Sequence, residues 1–249
     1  MDVGIALGLV LPGLATGLGG LALLAVGRRP SQRTMAAVLG FTGGVMLAAT
    51  SFSLLVPALD QGGVGTVSLG VVAGGLVMLA LDRFVPHEHD DRDESGCAAP
   101  GEHRSRPWLL VSALTIHNIP EGLAVGLAFA AGGMDAGLPV ALAIGIQNAP
   151  EGFAAGAPLL AAGRARGTAV LVAVLSGVVE PLAALAGYGL SSAAEGLLVP
   201  GLAFAGGAML YVTVDELLPS AQAGGRERLA TSSLMAGFVL LLVLDNALG

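Results

Sequence analysis

Two copies of one hexapeptide carry the chemistry of this chain: HNIPEG at 117–122 and QNAPEG at 147–152, 30 residues apart. On a helix, His117 and Glu121 are i,i+4 neighbours and share a face, while Asn118 and Glu121 are i,i+3 on the adjoining stripe. Gln147, Asn148 and Glu151 repeat that geometry. Each copy offers two columns of ligand atoms that meet at its glutamate. If the two faces oppose, two clusters form, bridged by Glu121 and Glu151. One holds His117 and Gln147 with both glutamates. The other holds Asn118 and Asn148 with the same glutamates and Glu180, from the VVEP stretch at 178–181. One imidazole with carboxylates and amide oxygens, and no thiolate, suits borderline divalent ions such as Zn²⁺ or Fe²⁺ better than Cu⁺. Calcium takes six to eight oxygens and has no use for a histidine. Three ionised glutamates carry three negative charges, so one divalent ion or two can be accommodated.

The residues around these motifs are those of a membrane. Hydrophobic residues make up 54% of the 249 residues, and 39 more are glycine. Charged residues are 12%, against roughly 25% in soluble domains, and mean hydropathy is +0.81. That excludes an ordinary soluble globular domain and a disordered chain. All 11 basic residues are arginine, so there is no P-loop lysine and no Schiff-base lysine. The single cysteine, Cys97, allows no internal disulfide and no thiolate cage. A net charge of −7 argues against a nucleic-acid partner.

Eight apolar runs are long enough to cross roughly 30 Å of hydrocarbon: about 3–27, 34–59, 64–85, 108–131, 137–161, 168–190, 197–219 and 229–248. They do not alternate as barrel strands would. The expected fold is an all-α integral membrane protein of eight transmembrane helices, a single domain over 1–249. The first run has Asp2 where a signal peptide has basic residues, and reads as a retained span. Gly122/Gly126 and Gly152/Gly156 are small-xxx-small pairs of the kind that let helices approach closely.

The arginines set the orientation. Arg28, Arg29 and Arg33 lie between spans 1 and 2, and Arg83, Arg92, Arg104 and Arg106 at or in the 3–4 loop. Arg164 and Arg166 lie between spans 5 and 6, and Arg226 and Arg228 between spans 7 and 8. The opposite loops hold Asp60, Asp135 and Glu195 without a base. By the positive-inside rule, both termini face outside. The 86–107 loop carries His87, His89 and His103 in a charged, Pro/Gly-containing stretch. It reads as a flexible cytoplasmic segment, either a solvated linker or a weak metal-collecting tail.

An ionisable side chain at mid-bilayer costs roughly 2.5–3.5 kcal/mol on insertion scales. His117, Glu121, Glu151 and Glu180 all fall near the middle of spans 4, 5 and 6. Pro120, Pro150 and Pro181 lie beside the three glutamates and free the carbonyls of Ile116, Ile146 and Gly177. Such carbonyls are tolerated in a membrane where they line a cavity or find a partner. Three kinks beside three glutamates suggest a polar pathway. Ser51, Ser53 and Ser176 could line it, although serines in spans usually bond their own backbone. Trp108 reads as an interfacial anchor.

HNIPEG, QNAPEG, the Glu180-Pro181 pair and DELLP at 215–219 together resemble the ZIP (Zrt-/Irt-like protein) family of divalent-metal transporters, and within it the bacterial GufA-like branch. The resemblance implies two three-helix sets flanking spans 4 and 5, a 3+2+3 arrangement. It implies a binuclear mid-membrane site at His117, Asn118, Glu121, Gln147, Asn148, Glu151 and Glu180, and movement of metal into the cytoplasm by an elevator-like motion. The implied setting is a multi-pass protein of the cell's inner or plasma membrane, assembled as a homodimer. The implied partners are divalent ions and the lipid bilayer, with Zn²⁺, Fe²⁺, Mn²⁺ or Cd²⁺ as substrate and no resident cofactor. Asp215 and Glu216 match a region linked to release; an exposed helix-end acid pair is the alternative. Asp60 is either an attractor for incoming cations or a solvated helix end. Gln147 and Asn148 stand where some relatives carry His or Asp, which lowers the basicity of the site.

The competing class is an intramembrane zinc hydrolase, since a histidine and glutamates could hold zinc and a water. HExxH is absent and only one histidine is embedded. A carrier of organic anions is opposed by an all-acidic site without an embedded arginine.

Overall fold

The computed structural model describes residues 2–25, 30–84, 107–193, 196–223 and 225–248, and among these there is no β-strand. The helices are α1 (Val3–Ala22), α2 (Gln32–Ala48), α3 (Val56–Phe84), α4 (Pro107–Ala161), α5 (Arg166–Ala193), α6 (Leu198–Val212), α7 (Leu218–Gln222) and α8 (Glu227–Leu248). Six stretches of the described residues are long and apolar enough to cross a membrane: Val3–Ala22, Gln32–Leu81, Leu114–Leu160, Arg166–Leu190, Leu198–Gln222 and Glu227–Ala247.

Two of those stretches, at 50 and 47 residues, are too long for one crossing. At 1.5 Å per residue each would extend roughly 70–75 Å if straight, against roughly 30 Å of hydrocarbon. Both turn back at glycines. α4 is interrupted at Gly132 (φ −143°) and Gly133 (φ 60°). Its two limbs then run side by side, since Gln147 on the second limb hydrogen-bonds Glu121 on the first. α3 is interrupted at Gly63 (φ 73°). Leu55 and Val71, on either side of that break, meet the adjacent Gly206 and Gly207 of α6. Gly63 and Gly133 adopt left-handed dihedrals that cost a residue with a Cβ. The loops expected at 60–63 and 132–136 therefore shrink to glycine breaks within continuous helix.

Two π-helical segments were not expected. Ala49–Leu55 joins α2 to α3, and Thr213–Leu217 joins α6 to α7. Each ends shortly before a proline, Pro57 or Pro219. A proline ring crowds the carbonyl four residues back and offers it no N–H. A wider turn relieves that crowding, and π-segments are characteristic of functional regions. Pro120, Pro150 and Pro181 lie inside α4 and α5. The Gly177 carbonyl freed by Pro181 faces Gly13 of α1, and the Gly13 carbonyl faces Gly177 in return. Such reciprocal approach permits Cα–H···O contacts.

Packing sorts the helices into two groups. α1 lies against α4 and α5, while α2 lies against α8 and α3 against α6. Close approach rests on small residues in both. Gly122 and Gly126 meet the carbonyls of Glu180 and Ala184 on α5; Gly152 meets the Thr16 carbonyl on α1. Gly156 faces Leu23 and the Ala169 backbone. Both glycine pairs legible in the sequence are thus helix contacts. In the other group, Gly40 and Gly44 meet α8 backbone, and Gly74 meets α6 backbone.

A Gly152→Leu substitution should drive α1 off the second limb of α4 and cost about 1–3 kcal/mol, the range of overpacking. Gly65→Ala, where a Cβ meets nothing within 4 Å, should leave stability unchanged or slightly higher. Thermal unfolding of the two variants in detergent distinguishes them.

Candidate metal centre

The seven residues expected to bind metal are all buried, each 3% exposed or less. His117, Asn118 and Glu121 come from the first limb of α4, Gln147, Asn148 and Glu151 from the second, and Glu180 from α5. The fold-back at Gly132–Gly133 brings the two hexapeptides against each other, the condition on which the two-cluster reading depended. Gln147 Nε2 donates to Glu121 Oε1 at 2.6 Å. Asn148 Nδ2 donates to Glu180 Oε2 at 2.5 Å and to the Pro12 carbonyl of α1 at 3.1 Å. Asn118 Nδ2 donates across to the Ser176 carbonyl of α5 at 2.7 Å. His117 Nε2 lies 3.4 Å from Glu216 Oε1 in the second π-segment.

These contacts use one end of each group and leave the other. Glu121 Oε2, Gln147 Oε1, Asn148 Oδ1, Glu151 Oε2, Glu180 Oε1 and His117 Nδ1 are buried without a hydrogen-bond partner among the described residues. Five of the six are oxygens, two of amides and three of carboxyl groups that accept when ionised; the sixth is the imidazole nitrogen that keeps a lone pair when Nε2–H faces Glu216. Buried orphans of this kind are rare, and each signals a missing partner. A divalent cation would satisfy these lone pairs together. The chain offers no cation of its own there, having no lysine and no arginine inside the apolar runs of spans 4, 5 and 6. The centre is not a closed cage, however. Among the described residues no three His, Cys, Asp or Glu side chains converge tightly enough to hold an ion by themselves. The Gln147 amide is seated on Glu121 and the Asn148 amide on Glu180.

The remaining expectations divide. Glu216 joins the centre through His117, and Asp215 beside it is partly buried. Asp60 is exposed and lies in the stretch leading to the Gly63 break. His87, His89, His103 and Cys97 lie outside the described residues, as does the side chain of Trp108. Ser51 and Ser176 bond their own helices, to Leu47 O and Ala173 O, as spanning serines usually do. Ser53 instead donates to Asp245 Oδ1 on α8 at 2.8 Å. Asp245 is an acid in an otherwise apolar run of the sequence. Pro12 was not recognisable, because its contribution is a backbone carbonyl.

The ZIP Zinc transporter family profile matches residues 85–245 of the chain. The chain is 46% identical to Zinc transporter ZIPB of Bordetella bronchiseptica over 245 residues, which cover 94% of this chain and 78% of that protein. It is 44% identical to Zinc transporter GufA of Myxococcus xanthus over 253 residues, 96% and 97% of the two chains. Zinc transporter ZIP11 of Bos taurus is 35% identical over 317 residues, 92% and 93% of the two.

Because Asn118 ties α4 to α5, an Asn118→Leu variant loses that interhelical hydrogen bond while the Ser176 carbonyl keeps its place in the α5 ladder. A net hydrogen bond is worth about 0.5–1.5 kcal/mol, read as a lower melting temperature of metal-free protein. Asp60→Asn, at an exposed position, should change stability by less than about 0.5 kcal/mol.

Proposed function

The chain belongs to the ZIP zinc transporter family, and from that premise we propose that it moves Zn²⁺, or a similar ion such as Fe²⁺, Mn²⁺ or Cd²⁺, across the cell's inner or plasma membrane into the cytoplasm. The observation that carries the reading is the buried ring of unpartnered acceptors on α4 and α5. It lies in a multi-pass helical membrane protein, where such groups persist only for a function. The reading is transport rather than catalysis, as the printed names of the relatives say of those proteins.

In this account the fold-backs at Gly63 and Gly132–Gly133 turn six apolar stretches into eight crossings. Both termini then face outside, and all eleven arginines face the cytoplasm. His117, Gln147, Glu121 and Glu151 form one cluster; Asn118, Asn148 and Glu180 extend it toward α5. An incoming ion takes the carboxylate lone pairs now held by amide N–H groups, and Gln147 turns its Oε1 toward the ion. Glu216 holds the far nitrogen of His117, orienting the ring as carboxylates orient ligating histidines elsewhere. Its place in a π-segment suits a group that must let the ion pass. The tight packing of α1, α4 and α5 supports their moving as one body against α2, α3 and α6–α8, the elevator-like motion. The 3+2+3 arrangement and assembly as a homodimer follow from the family resemblance.

The binding groups are amides, carboxylates and one imidazole, without thiolate. Such a set binds more weakly than a sulfur cage, as a carrier that must release its cargo requires. Asp60 and the loop histidines His87, His89 and His103 are assigned no step.

Purified protein in liposomes loaded with a metal-sensitive dye tests the proposal. Wild type should admit Zn²⁺ and Cd²⁺ and exclude Ca²⁺. Glu121→Ala and Glu151→Ala should each lower the flux at least tenfold, while melting temperature in detergent shows that the fold survives. Undiminished flux through both variants would overturn the assignment of the pathway. Ion retained by wild type without any flux would favour a membrane metalloenzyme.

A further inference from the structure

An apolar groove of about 350 Å³ lies between α2, α8 and the second limb of α4. Ala37, Val38 and Phe41 line it from α2, Ser233 and Ala236 from α8, and Pro150 from α4. Ser233 is the only polar side chain among the six. Protein interiors are close-packed, and a void of this size forfeits contacts along all its walls. Water finds too few polar partners there to fill it. At this depth of a membrane the remaining filler is hydrocarbon.

What lies at the mouth of the groove follows from the register of its two walls. Gly40 meets Ala230, Gly44 meets Leu234, and Ser53 meets Asp245. The partner's number rises in step with the residue's, so α2 and α8 run in the same direction. Arg33, in the first turn of α2, therefore stands level with Arg226 and Arg228 at the start of α8. By the positive-inside rule this end faces the cytoplasm. Arg33, Ala37 and Phe41 are successive i,i+4 neighbours on one stripe of α2. At 1.5 Å per residue, Ala37 and Phe41 lie roughly 6 Å and 12 Å deeper than Arg33. On α8, Arg226 precedes Ser233 by roughly two turns. All three arginines are exposed, and among the described residues none pairs with an acid. Glu227 is the only acid in the stretches 30–41 and 222–236. A surplus of positive charge thus sits at the cytoplasmic end of an apolar slot.

We propose that this groove is a lipid site: it takes one acyl chain of an anionic phospholipid of the cytoplasmic leaflet, whose phosphate rests on Arg33, Arg226 and Arg228. Such a lipid joins the two chemistries in the order the groove presents them, an anionic group at the interface and a methylene chain running into the hydrocarbon. Guanidinium groups suit phosphate oxygens, and basic residues at the cytoplasmic ends of spanning helices attract anionic headgroups. A zwitterionic headgroup brings its own ammonium against the arginines and is disfavoured. The chain would lie against Pro150, the residue before Glu151, and fill the seam between the α2–α8 pair and the limb of α4 that carries that glutamate.

The test compares two lipids. Full-length protein, stripped of lipid in a neutral detergent, is titrated with phosphatidylglycerol or with phosphatidylcholine of the same acyl chains. Native mass spectrometry counts the retained lipid, and thermal unfolding follows its effect. Wild type should hold phosphatidylglycerol at least tenfold more tightly and melt higher with it. Arg33→Ala, Arg226→Ala and Arg228→Ala together should bring phosphatidylglycerol down to the level of phosphatidylcholine. Ala236→Phe, at an exposed position on the wall, should fill the groove and lower retention of both lipids about fivefold or more. The soluble headgroup glycerophosphoglycerol should not bind measurably. Equal retention of the two lipids by wild type would overturn the proposal. So would a preference that survives the triple variant, retention untouched by Ala236→Phe, or a headgroup that binds as tightly as the whole lipid. The wild-type comparison needs no variant, so the proposal stays testable if one fails to fold. None of these readouts is flux, so failure here leaves the transport reading standing.

Discussion

Three glutamates are buried in a chain that offers no cation to meet them, and the rest of the structure follows from that constraint. Glu121, Glu151 and Glu180 are each 3% exposed or less, and every basic residue is an arginine outside spans 4, 5 and 6. A buried carboxyl group without partners is expensive in any medium and more so in hydrocarbon. The chain meets part of the need with neutral donors, the amides of Gln147 and Asn148. The rest is left open as unpartnered oxygens. A site completed by a lysine or arginine would be stable and inert. One completed by amides remains open to a divalent ion, which brings more charge than either amide can.

Supplying amide donors to those carboxylates requires helices to approach far more closely than ordinary side chains permit. Gly122 and Gly126 let α4 lie on the backbone of α5, and Gly152 with Gly19 lets it lie on α1. The Gly132–Gly133 break folds α4 back so that one hexapeptide faces the other. The glycine content is therefore part of the chemistry, because it sets the reach of Gln147 to Glu121 and of Asn148 to both Glu180 and Pro12. The same closeness packs α1, α4 and α5 tightly together, beside the α2–α8 and α3–α6 pairs. His117 and Glu216 form a polar link between α4 and the second π-segment.

Much of this was legible in the residues. The spacing of the two hexapeptides put His117, Asn118 and Glu121 on one pair of helical columns and Gln147, Asn148 and Glu151 on another, and left their opposition as a condition that the fold-back meets. The depth of Glu180 joined it to them. The small-residue pairs marked positions of close helix approach, without naming the partner helices. What escaped were features with no side-chain signature or with several equivalent readings. The Pro12 carbonyl is backbone, and its role depends on where α1 packs. The π-segments arise where Pro57 and Pro219 meet particular neighbours, whereas Pro120, Pro150 and Pro181 sit in continuous α-helix. The expected loops at 60–63 and 132–136 dissolved because a left-handed glycine can reverse a helix in one or two residues. Glu216 had two readings in the sequence, and only its proximity to His117 separates them. Asp245 takes its meaning from Ser53, a partner 192 residues away that no local spacing gives.

The most direct test of the central claim is anomalous diffraction from crystals of the protein grown with Cd²⁺, recorded with strong anomalous signal for the metal. The account predicts a peak inside the helical bundle, within coordinating distance of Glu121 and Glu151 and beside the His117 ring, with the Gln147 amide turned away from Glu121. Peaks confined to the exposed surface, with the amides still seated on their carboxylates at saturating metal, would contradict it.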